Sequence, residues 1–453
     1  MQHMKDHITD MTVGDPVKHI IFFALPTLIG NLFQQVYNIA DSIIVGRIVG
    51  ADALAAVGAT FTVTFLFFAL CNGIGSGGGI LVSQYYGAHD DDRVRNCIVN
   101  TGIIMLVVPL FFGIVGFVSA PALMRILETP SDILLDSVMY IRYMCVGLLF
   151  VAMYNYLAAM IRALGDSRTP LYSLIFSTFL NVGLDILFVY NLQMGIKGAA
   201  IATIIAQFAA AVGCAIYAYI VNPYFRIRRK DWHISKDMII KVMRLGVPMS
   251  LQFGLIAISS MAVQRIVNSY GTVMVAAFTA TSRIEQVIHQ PFGTLGTSLA
   301  TFCGQNYGAK KYDRVYSGYK KGFIIMAVLA IVMITTMQLF GGKLTGLFVT
   351  TPEVVAEGAR GLRITSLFYI PLGGIYVIRG VLTGVGDGLF ALSNGIVEIV
   401  GRFTIPYLMT VYMGMGRTGI WVSTGVVWVI SFVFAWIRYY TYLHKRISVK
   451  GLQ

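Results

Sequence analysis

The chain has 453 residues, of which 57% are hydrophobic and only 12% charged, with a formal net charge of +13. A soluble chain carries roughly 25% charged residues to solvate its surface, so most of this surface must face lipid. Disorder, a secreted disulfide scaffold and a nucleic-acid-binding domain are all excluded on that ground. The five cysteines (Cys71, Cys97, Cys145, Cys214, Cys303) are dispersed, with no metal-ligand or CxxC spacing, and read as small buried hydrophobes.

The polar start has no short apolar stretch followed by a small-residue cleavage site, so no cleaved signal is expected. A spanning helix needs roughly 20 mostly apolar residues. Twelve stretches satisfy this, with ends uncertain by a few positions. The first, 17–44, holds Pro26, Gln34, Tyr37 and Asp41. The second, 53–84, runs into Gln84-Tyr85-Tyr86-Gly87-Ala88, and 93–119 and 133–161 follow, the latter with Tyr140 and Asn155. The fifth, 169–191, holds Asn181 and Asp185; the sixth, 196–221, holds Thr203. After a basic stretch at 222–237 come 238–269, with Pro248 and Gln252, and 273–305, with Arg283, Glu285 and His289. The last four are 314–341, 354–381, 388–412 and 418–441, the eleventh carrying Glu398 and Arg402. The fold class expected is an all-α polytopic membrane protein.

The two halves repeat one another. Ser83-Gln84-Tyr85-Tyr86-Gly87-Ala88 returns as Gly304-Gln305-Asn306-Tyr307-Gly308-Ala309, about 221 residues on, and the same offset carries Gly165-Asp166 onto Gly386-Asp387. Pro26 falls within one residue of Pro248. Six spans per repeat give both halves one orientation, as in parallel-repeat transporters. The domains expected are an N-terminal six-helix lobe at 1–221, a cytoplasmic linker at 222–237 and a C-terminal six-helix lobe at 238–453, around a central cleft. With both termini cytoplasmic, roughly 23 of the 34 Lys and Arg fall on the inner side, led by Arg226-Ile227-Arg228-Arg229-Lys230. The positive charge is therefore an orientation signal, and nucleic acid is not an expected partner. A plasma-membrane location follows, with lipid as the surrounding partner. A duplicated two-lobed chain also suits transport better than enzymology. Asp90-Asp91-Asp92 lacks the spacing of a metal-diphosphate site and reads as a solvated loop.

These residues resemble the multidrug and toxic compound extrusion (MATE) transporters over nearly the whole chain. The resemblance rests on the ends of helices 2 and 8 (Gln84 to Ala88, Gln305 to Ala309) and the Ala163-Leu164-Gly165-Asp166 turn. It also rests on the first helix with Pro26 and Asp41, and on Gly198-Ala199-Ala200-Ile201-Ala202-Thr203. It implies twelve helices in two lobes, no organic cofactor, no enzymatic activity, and export of cationic amphipathic small molecules against entry of Na⁺ or H⁺. The alternative is a flippase of lipid-linked precursors in the same wider superfamily. A two-lobed chain can work as a monomer, and a monomer is the state expected.

Carboxylates inside a membrane are costly and mark function. Asp41, Asn181, Asp185 and Thr203 fall at one depth, near 10 Å from the outer helix ends at roughly 1.5 Å per residue. Two carboxylates with amide and hydroxyl oxygens suit a small hard cation such as Na⁺. Paired carboxylates equally suit a proton. The resemblance implies the same coupling role for these positions. Tyr37 and Gln34 share a face with Asp41, and Tyr140 and Asn155 are further candidates. Pro26 is a candidate hinge, because it removes a helical hydrogen bond. In the C-terminal half, Gln252 stands where one branch of the family has a glutamate. Glu285 and His289 share a helix face, and Glu398 and Arg402 are spaced as an internal ion pair. These are candidates for coupling or for the cleft wall.

Overall fold

A computed structural model of the protein describes residues 8–228 and 231–444. The Arg229-Lys230 pair of the basic linker and both extreme termini lie outside the described residues. Among those described there is helix and no strand. Thirteen α-helices follow in order: α1 (Pro16–Ile44), α2 (Ala51–Gly87), α3 (Asp91–Ile126), α4 (Ser131–Ala163), α5 (Arg168–Asp185), α6 (Ile196–Val221), α7 (Lys236–Asn268), α8 (Thr272–Gly308), α9 (Tyr312–Gly346), α10 (Pro352–Ser366), α11 (Tyr369–Gly384), α12 (Gly388–Tyr407) and α13 (Arg417–Arg438).

Ten helices are long and apolar enough to cross a membrane, and α10 with α11 makes an eleventh, bent by 53°. The tenth span, expected unbroken over 354–381, is corrected by this bend. Pro371 sits in the first turn of α11; it has no N–H, and its ring clashes with a carbonyl four residues back. Helix α8 has the length of a span but carries a polar stripe of Arg283, Glu285, Gln286, His289 and Gln290. With the bent pair counted once, the helices make twelve. Their outer faces are apolar, with Phe22, Val118 and Leu135 exposed, as lipid solvation requires.

The packing divides into two compact units: Leu25–Ser250 with the segment up to Asp10, and Met11–Ala24 with Leu251 onward. The change of unit falls beside Pro26 in α1 and beside Pro248 in α7. The opening turns of each repeat's first helix thus pack with the other repeat's unit. Met238, Val242 and Leu245 of α7 join the core of the first unit. Met11, Ile20 and Phe23 join the core of the second.

Within the first unit, the linker is docked on α3. Asn96 and Asn100 donate to the His233 carbonyl at 3.1 and 3.0 Å, and Ser235 N–H donates to Asn100 Oδ1 at 2.9 Å. The acidic run at α3 is used structurally: Asp90 caps the helix, Asp91 accepts from Tyr224, and Asp92 meets Arg228. Removal from water pushes the Asp231 carboxyl up, but backbone and side-chain hydrogen bonds from Arg228 outweigh that and hold it below its ordinary value. Within the second unit, the segment before α1 is held by the repeated motif. Met11 N–H donates to Gln305 Oε1, and Asn306, Lys311 and Arg314 donate to carbonyls of Met11, Thr12 and Val13. Glycines allow the tightest approaches. A Cβ on Gly77 of α2 would lie 2.6 Å from the Gly246 nitrogen of α7.

Candidate functional site

The carboxylates of the first unit sit where two helices change winding. Helix α1 ends three residues after Asp41 and passes into a π-helical turn, Val45–Val49. Helix α5 ends at Asp185 and passes into another, Ile186–Asn191. Such turns release backbone groups from the regular ladder and recur at functional sites. The counterpart of the second turn, Leu408–Tyr412, follows α12 in the other half.

Asn181 and Asp185 are fully buried on one face of α5, and Thr203 of α6 is buried. The Tyr37 hydroxyl of α1 lies 3.2 Å from Thr203 Oγ1. Asp41 and Asp185 interact electrostatically with each other, with Tyr37 and with Tyr140 of α4. Asp41 Oδ1 is shut off from solvent with no hydrogen-bond partner among the described residues. The structure thus gathers Tyr37, Asp41, Tyr140, Asp185 and Thr203 from four elements. Asn181 lies one turn from Asp185 on the same face.

A cavity of about 160 Å³ opens beside this cluster. Its polar lining is Gln34, Tyr37, Asn38, Thr64, Thr203 and Gln207; its apolar lining includes Phe67, Phe68 and Met144. Tyr37 and Thr203 belong to both cluster and cavity. The oxygens of the cluster fit a small hard cation or a proton, and the cavity fits part of an amphipathic molecule. Asn155 stands apart, its amide donating back to the Val151 carbonyl at 2.8 Å.

The second-unit candidates are distributed differently. Gln252 is buried against Gly395 of α12. Glu285 of α8 lies beside Thr365 of α10, and His289 lies beside Tyr376 of α11 and Trp428 of α13. The expected Glu398–Arg402 pair is corrected. Glu398 Oε1 instead accepts from Arg379 of α11 at 3.0 Å and from Asn394 at 3.1 Å. A neighbouring helix brings a half-buried guanidinium to the carboxylate, a partner that spacing within α12 does not show. Arg402 remains in electrostatic range of Glu285 and His289. Sequence reasoning missed Arg379, although an arginine inside Tyr376-Val377-Ile378-Arg379-Gly380 is as anomalous in an apolar run as the carboxylates.

The family model MatE matches residues 26–187 and 248–408, one match in each repeat. The chain belongs to the MATE family of transporters. Its relatives include the probable multidrug resistance protein YpnP of Bacillus subtilis, 31% identical over 95% of this chain and 96% of that protein. The multidrug export protein MepA of Staphylococcus aureus is 24% identical over 92% of both chains. Among solved structures, a MATE in complex with MaL6 superposes with a TM-score of 0.92 at 23% identity, over 99% of this chain and 100% of that one. An outward-facing multidrug resistance MATE transporter of the MOP superfamily superposes at 0.90 and 24%, over 99% of each. Membership makes the chain a multi-pass membrane transporter rather than an enzyme, and its helices carry no organic cofactor as part of that activity.

Proposed function

We propose that the chain exports amphipathic organic cations in exchange for Na⁺ or H⁺ entering through Asp41 and Asp185. The observation that carries this reading is the shared wall: Tyr37 and Thr203 line the cavity and also close the carboxylate cluster. An ion seated among Asp41, Asn181, Asp185 and Thr203 would draw those groups inward. A drug fragment in the cavity needs the same wall relaxed. Each ligand then favours the conformation in which the other leaves, which is the linkage an antiporter requires. The relatives named for multidrug export support the substrate class. Pro26, near the point where the packing of α1 changes unit, belongs to the proposal as the place where α1 bends. Cytoplasmic termini and a monomeric working unit complete the reading, supported by the basic linker and by two repeats in one chain.

Reconstitution into lipid vesicles with Na⁺ and pH gradients imposed separately tests it. Export of a fluorescent organic cation should follow one of the two gradients. Asp41→Asn should reduce it to the level of empty vesicles while the protein remains folded and inserted. Full export by Asp41→Asn would sink the assignment of the coupling site.

A further inference from the structure

The segment between α6 and α7 presents an apolar pair that the fold leaves uncovered. Its attachments all run to the α3 side. The His233 carbonyl accepts from Asn96 and Asn100, Ser235 N–H donates to Asn100 Oδ1, and the buried Asp231 holds Arg228. The two large side chains set between those attachments, Trp232 and Ile234, are 66% and 67% exposed. An indole and a branched aliphatic chain side by side in water forgo the burial that most such residues find.

The attachments also set the level of this pair along the bundle. Asn96 and Asn100 stand about 8 and 14 Å into α3, at roughly 1.5 Å per residue from Asp91. The exposed large apolar side chains of α3 begin at Leu106 and Val107, about 9 Å beyond Asn100. The segment is therefore held beside the last polar turns before the lipid-facing surface, and not out in water below the helix end. Helix α6 gives the same level. Tyr219 and Ile220 are exposed in its last turn, and Arg226 donates to their carbonyls at 3.2 and 2.8 Å. Those carbonyls are left over at the helix end, so a guanidinium is fixed at the lipid-facing end of α6 with no carboxylate beside it among the described residues. Tryptophan favours this level, because its ring is apolar and its N–H is polar.

The charge of the segment selects the lipid. Residues 222–237 hold five basic and two acidic residues. Arg228 is taken by Asp92 and Asp231, whereas Arg226 and Lys236 are exposed and meet no carboxylate among the described residues. Exposed basic residues beside a bilayer attract anionic headgroups over about a Debye length. A soluble protein partner would need a far wider patch than two side chains, whereas a bilayer interface accepts them singly. We propose that the linker is an interfacial anchor. Trp232 and Ile234 enter the headgroup layer of the adjoining leaflet, and Arg226 and Lys236 bind the phosphates of anionic phospholipids there. The anchor requires only that the chain spans a membrane; it is independent of the compound exported and of the coupling ion.

Fluorescence quenching of Trp232 tests the anchor. The full chain is reconstituted into nanodiscs of phosphatidylcholine, alone or with phosphatidylglycerol added. Subtracting the signal of Trp232→Phe isolates this indole from the other three tryptophans. With phosphatidylglycerol present, the Trp232 signal should be shielded from acrylamide in the water and quenched by lipids brominated high on the acyl chain. Omitting phosphatidylglycerol, raising the salt, or combining Arg226→Gln with Lys236→Gln should each lose lipid quenching and gain acrylamide access. A Trp232 that acrylamide reaches and brominated lipid does not, in nanodiscs with phosphatidylglycerol, overturns the proposal. So does lipid quenching that is indifferent to phosphatidylglycerol, salt and both substitutions, because it leaves apolar contact without selection for anionic lipid. Should the double variant fail to fold, the salt and lipid comparisons decide. If no compound is exported by any gradient while this quenching pattern stands, the exporter reading fails and the anchor does not.

Discussion

Arg379 shows how far one side chain governs the second unit. Its guanidinium meets Glu398 at 3.0 Å, with side-chain exposures of 18% and 8%. Removing one partner of a fully buried pair strands the other charge at a cost of about 3–5 kcal/mol, whereas replacing both by apolar groups is often neutral; the partial exposure of Arg379 puts this pair below that range. Arg379→Met should therefore lower the melting temperature of the detergent-purified protein clearly, and Arg379→Met with Glu398→Leu should restore most of it. Equal melting of the single and double variants would remove the ion pair from the account. The residues of the candidate ion site were easier to read from sequence than this pair. Asp41 and Asp185 stand out because a carboxylate in an apolar run has no bland explanation, and counting residues from the helix ends put them at one depth. The partner of Glu398 was not legible, because spacing within a helix shows only which residues share a face. It says nothing of what a neighbouring helix brings to that face.

At the scale of helices, periodicity and length located the spans to within a few residues, but not their interruptions. The π-helical turns after Asp41 and Asp185 have no compositional mark, since they depend on what packs around the helix end. The bend between α10 and α11 did have a mark in Pro371, which a reading focused on hydropathy passes over. Glycine positions were equally silent until partners were known. Gly77 permits α2 to approach Gly246 of α7, and a Cβ there would lie 2.6 Å from a backbone nitrogen. Backbone cannot yield as a flexible side chain would, so Gly77→Val should cost at least the 1–3 kcal/mol or so typical of overpacking. Gly213 of α6 has nothing within 4 Å of its would-be Cβ, so Gly213→Val is the matched control and should not be destabilising, since valine is the better helix former of the two. Thermal unfolding of both variants in the same detergent checks the contrast. Comparable losses would mean that the close approach is not what Gly77 provides.

At the scale of the whole molecule, the internal repeat was legible because motifs at one offset do not arise by chance in several places. What the repeat could not convey is that its halves trade segments. Met11–Ala24 packs with the second unit and Lys236–Ser250 with the first. Half-chains cut in the linker after Lys230 should therefore each lack an opening helix segment of their partner's making. Residues 1–230 expressed alone should be degraded or extracted in a protease-sensitive form, and co-expression with 231–453 should rescue both. A half-chain as protease-resistant as the full protein would show that the traded segments are dispensable.

The same trade sets an order on synthesis. When the sixth helix has left the ribosome, the first unit is still incomplete, and it waits until Ser250 has been made. At about 5–20 residues per second, that delay is one to several seconds. The second unit meets the opposite situation, because its missing piece was the first to emerge. The opening turns of α1 must therefore remain undocked through most of translation, so an early nascent chain offers insertion factors and proteases the Met11, Ile20 and Phe23 side chains that the finished transporter buries.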